Sequence, residues 1–146
     1  MSTKTIDATE LAARLRLGVT RLARRLRQET GGDITPSQLA ALSTIERHQP
    51  MTVGDLSAHE RVQPPTMTRV VSALVEAGFV AREPDTADRR IAWLRLTPEG
   101  ARFLARGRTR KEAFLAKRLG RIEPERLAVL EQAVDLLEQL VDGEAR

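Results

Sequence analysis

The 146-residue chain contains no cysteine and no tyrosine, and its only aromatic residues are three phenylalanines and one tryptophan. The missing thiols exclude disulfides, thiolate-ligated zinc, iron-sulfur clusters, catalytic cysteines and thiol-based redox sensing together. The two histidines, His48 and His59, stand at no metal-ligand spacing, so a shared metal site could arise only through the fold. No apolar stretch approaches the roughly 20 residues a membrane-spanning helix needs, and the opening MSTKTIDATE has no signal-type apolar core. The cytoplasm is the expected compartment, with no membrane contact. A glycine-rich phosphate loop, a nucleophile elbow and a close carboxylate-histidine pattern are also missing. No catalytic residue, metal or cofactor is therefore assigned, and an enzyme is not expected.

What is present is ordinary in amount and uneven in distribution. The length fits one domain, able to bury about two-thirds of its unfolded surface. Hydrophobic residues make up 41% and charged residues 30%, as in a typical globular protein. The net charge is +4 and the sequence pI about 10.5, carried by arginine with only three lysines. Arginine suits bidentate contacts to phosphate and guanine, which points to nucleic acid, although a GC-rich genome enriches arginine as well. Residues 1–35 carry +3, residues 36–111 carry +4 and residues 112–146 carry −3, so the tail is not the nucleic-acid surface.

Along the chain, Asp7-Ala8-Thr9-Glu10 reads as a capping box that opens an amphipathic helix with Leu11, Leu15, Val19, Leu22 and Leu26 on one stripe. Thr35-Pro36-Ser37-Gln38 is a second box with proline at the first helical position, and Pro50 closes the helix it starts. Thr52 caps a short helix bearing Asp55 and Leu56. After a break at Glu60-Arg61, a further helix must begin at Gln63-Pro64, because two consecutive prolines fit only a first turn. Met67, Val70, Val71 and Leu74 trace its buried stripe, and Gly78 ends it. Residues 79–82 and 91–96 read as a hairpin whose apolar residues Ile91, Trp93 and the leucines fix it to the helices. Thr97-Pro98-Glu99 opens a long helix, and Pro124 opens a last one in which Leu127, Leu130, Val134, Leu137 and Val141 recur at helical spacing.

A short helix, a tight break, a longer helix and a two-stranded ribbon with a basic tip make the winged form of the helix-turn-helix. In that mode the first residues of the second helix lie nearest the base edges. Here they are Gln63, Pro65, Thr66, Thr68 and Arg69. Gln63 can bond adenine, Arg69 guanine or phosphate, and a threonine phosphate or a thymine methyl. Alternatively, Gln63 only caps the helix and Arg69 is a solvated surface residue. At the ribbon tip, Arg90 is read as a minor-groove probe, Asp88 as its brace and Arg89 as a phosphate contact.

Residues 54–100, GDLSAHERVQPPTMTRVVSALVEAGFVAREPDTADRRIAWLRLTPEG, resemble the core of the MarR family of bacterial transcriptional regulators. The likeness rests on the T-R-x-V-x-x-L-x-x-x-G helix, the D-x-R tip and the following L-T-P-E-G, in register. Pro65 departs from it, standing where the family more often has serine or alanine. The resemblance implies a mainly α fold with a small β wing. Residues 35–97 would form a winged helix-turn-helix DNA-binding lobe, and residues 7–30 and 98–142 would supply terminal dimerisation helices, within one domain spanning residues 1–146. It further implies a homodimer on a palindromic operator of double-stranded DNA, usually repressing, and a small aromatic or anionic ligand that lowers DNA affinity. The dimer seam would use Leu11, Leu15, Leu130, Val134, Leu137 and Val141, and Leu136 and Leu140 widen the apolar stripe of the last helix as such a seam requires. With so few aromatics, a ligand cleft would be mainly aliphatic, an arginine of the first helix or His48 meeting an anion, unless His48 is only a helix-end surface residue. The rival reading is a winged-helix module that docks an acidic protein without reading DNA.

Overall fold

Among residues 5–143, which the computed structural model describes, eight elements follow in order. They are α1 (Ala8–Gln28), α2 (Pro36–His48), α3 (Val53–Glu60), α4 (Pro64–Glu76), β1 (Val80–Pro84), β2 (Ala92–Leu96), α5 (Pro98–Leu119) and α6 (Pro124–Asp142). The fold is mainly α with a small β wing. No described helix is long and apolar enough to cross a membrane. The chain divides into two units, one ending at Lys111 and one starting at Glu112, with the division inside α5.

Capping chemistry sets the helix starts. Thr35 with Gln38, and Thr52 with Asp55, each form a reciprocal box that satisfies two backbone donors. At α1 only half of the expected box forms. The Asp7 carboxylate accepts from the Thr9 N–H at 2.8 Å and the Glu10 N–H at 3.5 Å, but Glu10 does not reach back. Two carboxylates repel at one helix end, whereas a threonine hydroxyl paired with Gln or Asp does not.

In the first unit α2, α3, α4 and the ribbon share one core. Leu42, Ile45, Leu56, Met67, Val71, Leu74 and Leu94 are its largest fully buried side chains, each worth about 1.5–3 kcal/mol of transfer free energy. Thr44, also buried, donates its hydroxyl to Glu60, tying α2 to the last turn of α3. The ribbon is antiparallel, in register from Val80↔Leu96 to Pro84↔Ala92. Met51 extends it by one bridge to Leu94, with N–H···O bonds of 3.3 and 2.7 Å.

The period of two along a strand places Val80, Arg82, Leu94 and Leu96 on one face and Ala81, Glu83, Trp93 and Arg95 on the other. Only the first face packs inward, with Val80 and Leu94 buried. The expectation that Ile91 and Trp93 help fix the ribbon to the helices is therefore corrected. Ile91 is 37% exposed, and Trp93 lies outside the core on the opposite face.

No residue of α1 is buried, and its stripe of Leu11, Leu15, Val19 and Leu22 is exposed. In the second unit α6 likewise has no buried residue. Both faces of α6 are open in the single chain: Leu130 and Val134 on one, Val129, Leu136 and Leu140 on the other.

Candidate nucleic-acid interface

The break between α3 and α4 is made by Arg61, which takes the left-handed conformation (φ 52°), and by a Val62 N–H bond to the Ser57 carbonyl at 3.1 Å. The chain then enters α4 at Gln63, which stands at the N-cap position with its carbonyl accepting the Met67 N–H at 3.0 Å, while its side chain makes no capping bond. Pro64 and Pro65 occupy the first turn, where no helical N–H is needed.

Met67, Val71 and Leu74 turn inward and leave Pro65, Arg69 and Ser72, at i, i+4 and i+7, on the opposite exposed face. Gln63, Thr66 and Thr68 are exposed beside them. The Thr68 hydroxyl donates to the Pro64 carbonyl at 2.9 Å, so it faces outward as an acceptor only. Ser72 carries a contact the sequence did not reveal: its Oγ accepts from Arg82 Nη2 of β1 at 3.1 Å, joining the helix to the wing.

The wing tip is organised by two aspartates. Asp85 Oδ2 accepts from the Ala87 and Asp88 N–H groups at 3.1 and 2.9 Å, while its Oδ1 accepts from Trp93 Nε1 at 3.0 Å. Asp88 Oδ1 takes both the backbone N–H and Nε of Arg90 at 3.0 Å, and Oδ2 takes Nη2 at 2.8 Å. Arg90 is thus held in a two-pronged carboxylate pair while remaining almost wholly solvent-facing. Arg89 is exposed next to it. Gln63, Pro65, Thr66, Thr68 and Arg69 therefore share the start of α4, and Asp88, Arg89 and Arg90 share the tip. Asp85, Ser72 and Arg82 were missed, although the side chain of Asp85 bonds two and three residues ahead, a turn habit typical of aspartate.

The Trp93 indole N–H, followed by the backbone N–H groups of Asp88 and Ala87, holds the Asp85 carboxyl below the usual carboxylate range. The Arg90 guanidinium does the same for Asp88, and Asp88 in turn raises Arg90. Because the folded values lie below the unfolded ones, the stabilisation these carboxylates give the tip is complete above the ordinary carboxylate range. It is lost only as pH falls through the lowered folded values. Fluorescence of Trp93, the only tryptophan, should accordingly stay constant from about pH 8 to about pH 5 and change only below about pH 4. A titration step near neutral pH in that signal would contradict this arrangement.

Two other features lie in the first unit. A cavity of about 430 Å³ is lined by Arg24, Arg27 and Gln28 of α1 with Ile34, Thr35 and Leu39. His48 is not on it; its ring stacks on that of His59 at 4.4 Å between centroids. The fold thus does unite the two histidines, yet no group of three or more metal-ligating side chains occurs among the described residues.

Residues 34–92 match the MarR family profile. An uncharacterized HTH-type transcriptional regulator of Mycobacterium leprae is 38% identical over 133 residues, which cover 90% of this chain and 93% of that one. A candidate transcriptional regulator of Pseudomonas aeruginosa has a similar solved structure, with 33% identity, a TM-score of 0.83, and 93% and 96% of the two chains covered. A MarR family protein from Bacillus stearothermophilus superposes with a TM-score of 0.78 at 28% identity, covering 98% of this chain and 99% of that one.

Proposed function

The chain belongs to the MarR family of DNA-binding transcriptional regulators, which are not enzymes, and on that premise we propose that it is a homodimeric repressor of a palindromic operator. Residues 35–97 serve as the DNA-reading lobe, and residues 7–30 and 98–142 supply the dimer contacts, all within one functional domain. The observation that carries this reading is the exposed start of α4 in the same lobe as an arginine held out at the wing tip by Asp88. Gln63, Thr66 and Arg69 meet base edges or phosphates of the major groove, with Pro65 and Thr68 packing alongside. Arg90 enters the adjacent minor groove, where a narrow A·T tract concentrates negative potential, and Arg89 contacts a phosphate. A two-fold dimer sets the recognition helices about one DNA turn apart, hence the palindrome. Bound over a promoter, such a dimer excludes polymerase.

Release is assigned to the cavity beside Arg24 and Arg27. Two guanidinium groups above the apolar side chains of Ile34 and Leu39 suit a small aromatic or aliphatic acid.

The test is quantitative binding to the duplex that the wild-type chain selects from a random pool. Arg90→Ala should weaken it roughly 5- to 150-fold at fixed salt, the usual scale for one specific contact. Arg89→Ala should weaken operator and non-operator DNA alike and reduce the salt slope by about 1. Failure of the wild-type chain to prefer any sequence over bulk DNA would remove the proposal, and wild-type affinity in Arg90→Ala would remove its minor-groove part.

A further inference from the structure

We propose that Asp85 and Trp93 are positioning residues for DNA recognition, presetting Arg90 at the wing tip before any DNA arrives. This rests on the reading of Arg90 as the minor-groove contact. Trp93 is paired with Glu83 on the face of the ribbon that points away from the core, and Leu94 fills the core side. Trp93 is half-buried there, outside the core cluster. What a phenylalanine could not supply is the polar group of Trp93, the indole N–H, which donates to Asp85.

From there the bonds run outward without a gap. Asp85 collects the N–H groups of Ala87 and Asp88, which fixes the backbone that carries the Asp88 carboxylate. Asp88 collects three N–H groups of Arg90. The backbone closes the same loop, Asp85 N–H donating to the Ile91 carbonyl at 2.8 Å and Ile91 N–H to the Asp88 carbonyl at 3.0 Å. Asp88 engages Nε and one hydrogen of Nη2 of Arg90, leaving both Nη1 hydrogens and the second Nη2 hydrogen for DNA. An arginine on a loose loop would lose its rotamer freedom on entering the groove; here the Asp88 pair already narrows that freedom on folding, so less affinity is lost to ordering.

The experiment is a double-mutant cycle on the selected duplex and on a copy whose flanking A·T pairs are changed to G·C, which places an amino group in the minor groove. Trp93→Phe keeps the ring and removes only the N–H; Asp85→Ala removes the acceptor, with thermal melting to verify folding. Each is expected to weaken binding about 3- to 10-fold, consistent with one or two lost hydrogen bonds, and to reduce the preference for the A·T-flanked duplex. Added to Arg90→Ala, neither should weaken binding further, because both act through that side chain. Full discrimination in a folded Trp93→Phe variant would overturn the inference while leaving the role of Arg90 intact, as would losses that simply add to those of Arg90→Ala. If Arg90→Ala itself binds like wild type, the minor-groove reading fails first and takes this one with it.

Discussion

A chain carrying Leu137→Asp should sediment as a monomer or be recovered only as insoluble protein. The apolar surface of α6 is wider than a helix edge needs: Val129, Leu136 and Leu140 are 66%, 59% and 69% exposed on one face, and Leu130 and Val134 are 40% and 45% exposed on the other. A monomer leaving this much contiguous apolar surface in water would be unusual. Leu137 is half-buried between the exposed positions, so a second copy would finish its burial. An unpaired charge at a desolvated site costs about 3–5 kcal/mol. A two-fold interface contains each substituted residue twice, so the dissociation constant should rise at least about a thousandfold. Sedimentation velocity reads the outcome directly. Leu11→Asp and Leu15→Asp in α1 should act in the same direction. A soluble Leu137→Asp protein still sedimenting as a dimer would show that the seam lies elsewhere.

The second large effect is expected from a single methyl group. A Cβ at Gly100 would stand 2.2 Å from the Phe79 carbonyl oxygen and 3.0 Å from its carbon, with Leu96 Cδ2 at 3.1 Å. Two of these obstacles are backbone and cannot swing aside. The same carbonyl accepts the Thr97 N–H at 3.0 Å, and the Thr97 hydroxyl both donates to the Gly78 carbonyl and accepts the Gly100 N–H. Gly100→Ala must therefore push the first turn of α5 off the end of α4 and the start of the wing. Overpacking of this kind costs about 3 kcal/mol or more, lowering the melting temperature by about 10 °C. Gly54→Ala is the control. Its Cβ would meet only Thr52 Oγ1 at 3.7 Å, and alanine's better helix propensity should leave stability unchanged or up to about 1 kcal/mol higher. Equal melting of Gly100→Ala and wild type would refute the close approach.

These two glycines mark the boundary of what the sequence conveys. Helix starts were readable because their chemistry is local: Thr35-Pro36-Ser37-Gln38, Thr52 with Asp55, and the Pro64-Pro65 pair dictate structure within four residues. The order of α3, α4 and ribbon followed, and with it the winged lobe and the grouping of Gln63, Thr66 and Arg69 apart from Arg89 and Arg90. Contacts between distant residues were not readable. Gly100 and Gly54 look alike in sequence, and only the approach of Phe79 separates them. Asp85 was one more polar turn residue until the ribbon brought Trp93 back beside it. Ser72 lies on the exposed face by periodicity, but its bond to Arg82 depends on where β1 docks. The inward face of β2 was ambiguous because apolar residues occupy both faces, and the Met51 bridge to Leu94 was decisive only in three dimensions. The half-formed cap of α1 shows that even a local motif depends on charge as well as spacing.

On the proposed reading of α4 and Arg90, the Met51 bridge constrains the DNA. By stitching the segment between α2 and α3 to β2, while Arg82 bonds Ser72 and so ties β1 to α4, the lobe couples the wing to α4. On the proposed reading, the distance between what α4 reads and what Arg90 probes is then set by the fold of the lobe. One base pair inserted between the two would advance the flank by about 3.4 Å and rotate it by roughly 35°, carrying the minor groove out from under the tip. Each half-site of the proposed operator should therefore keep its core and its flank in fixed helical phase, whatever latitude exists between the two halves.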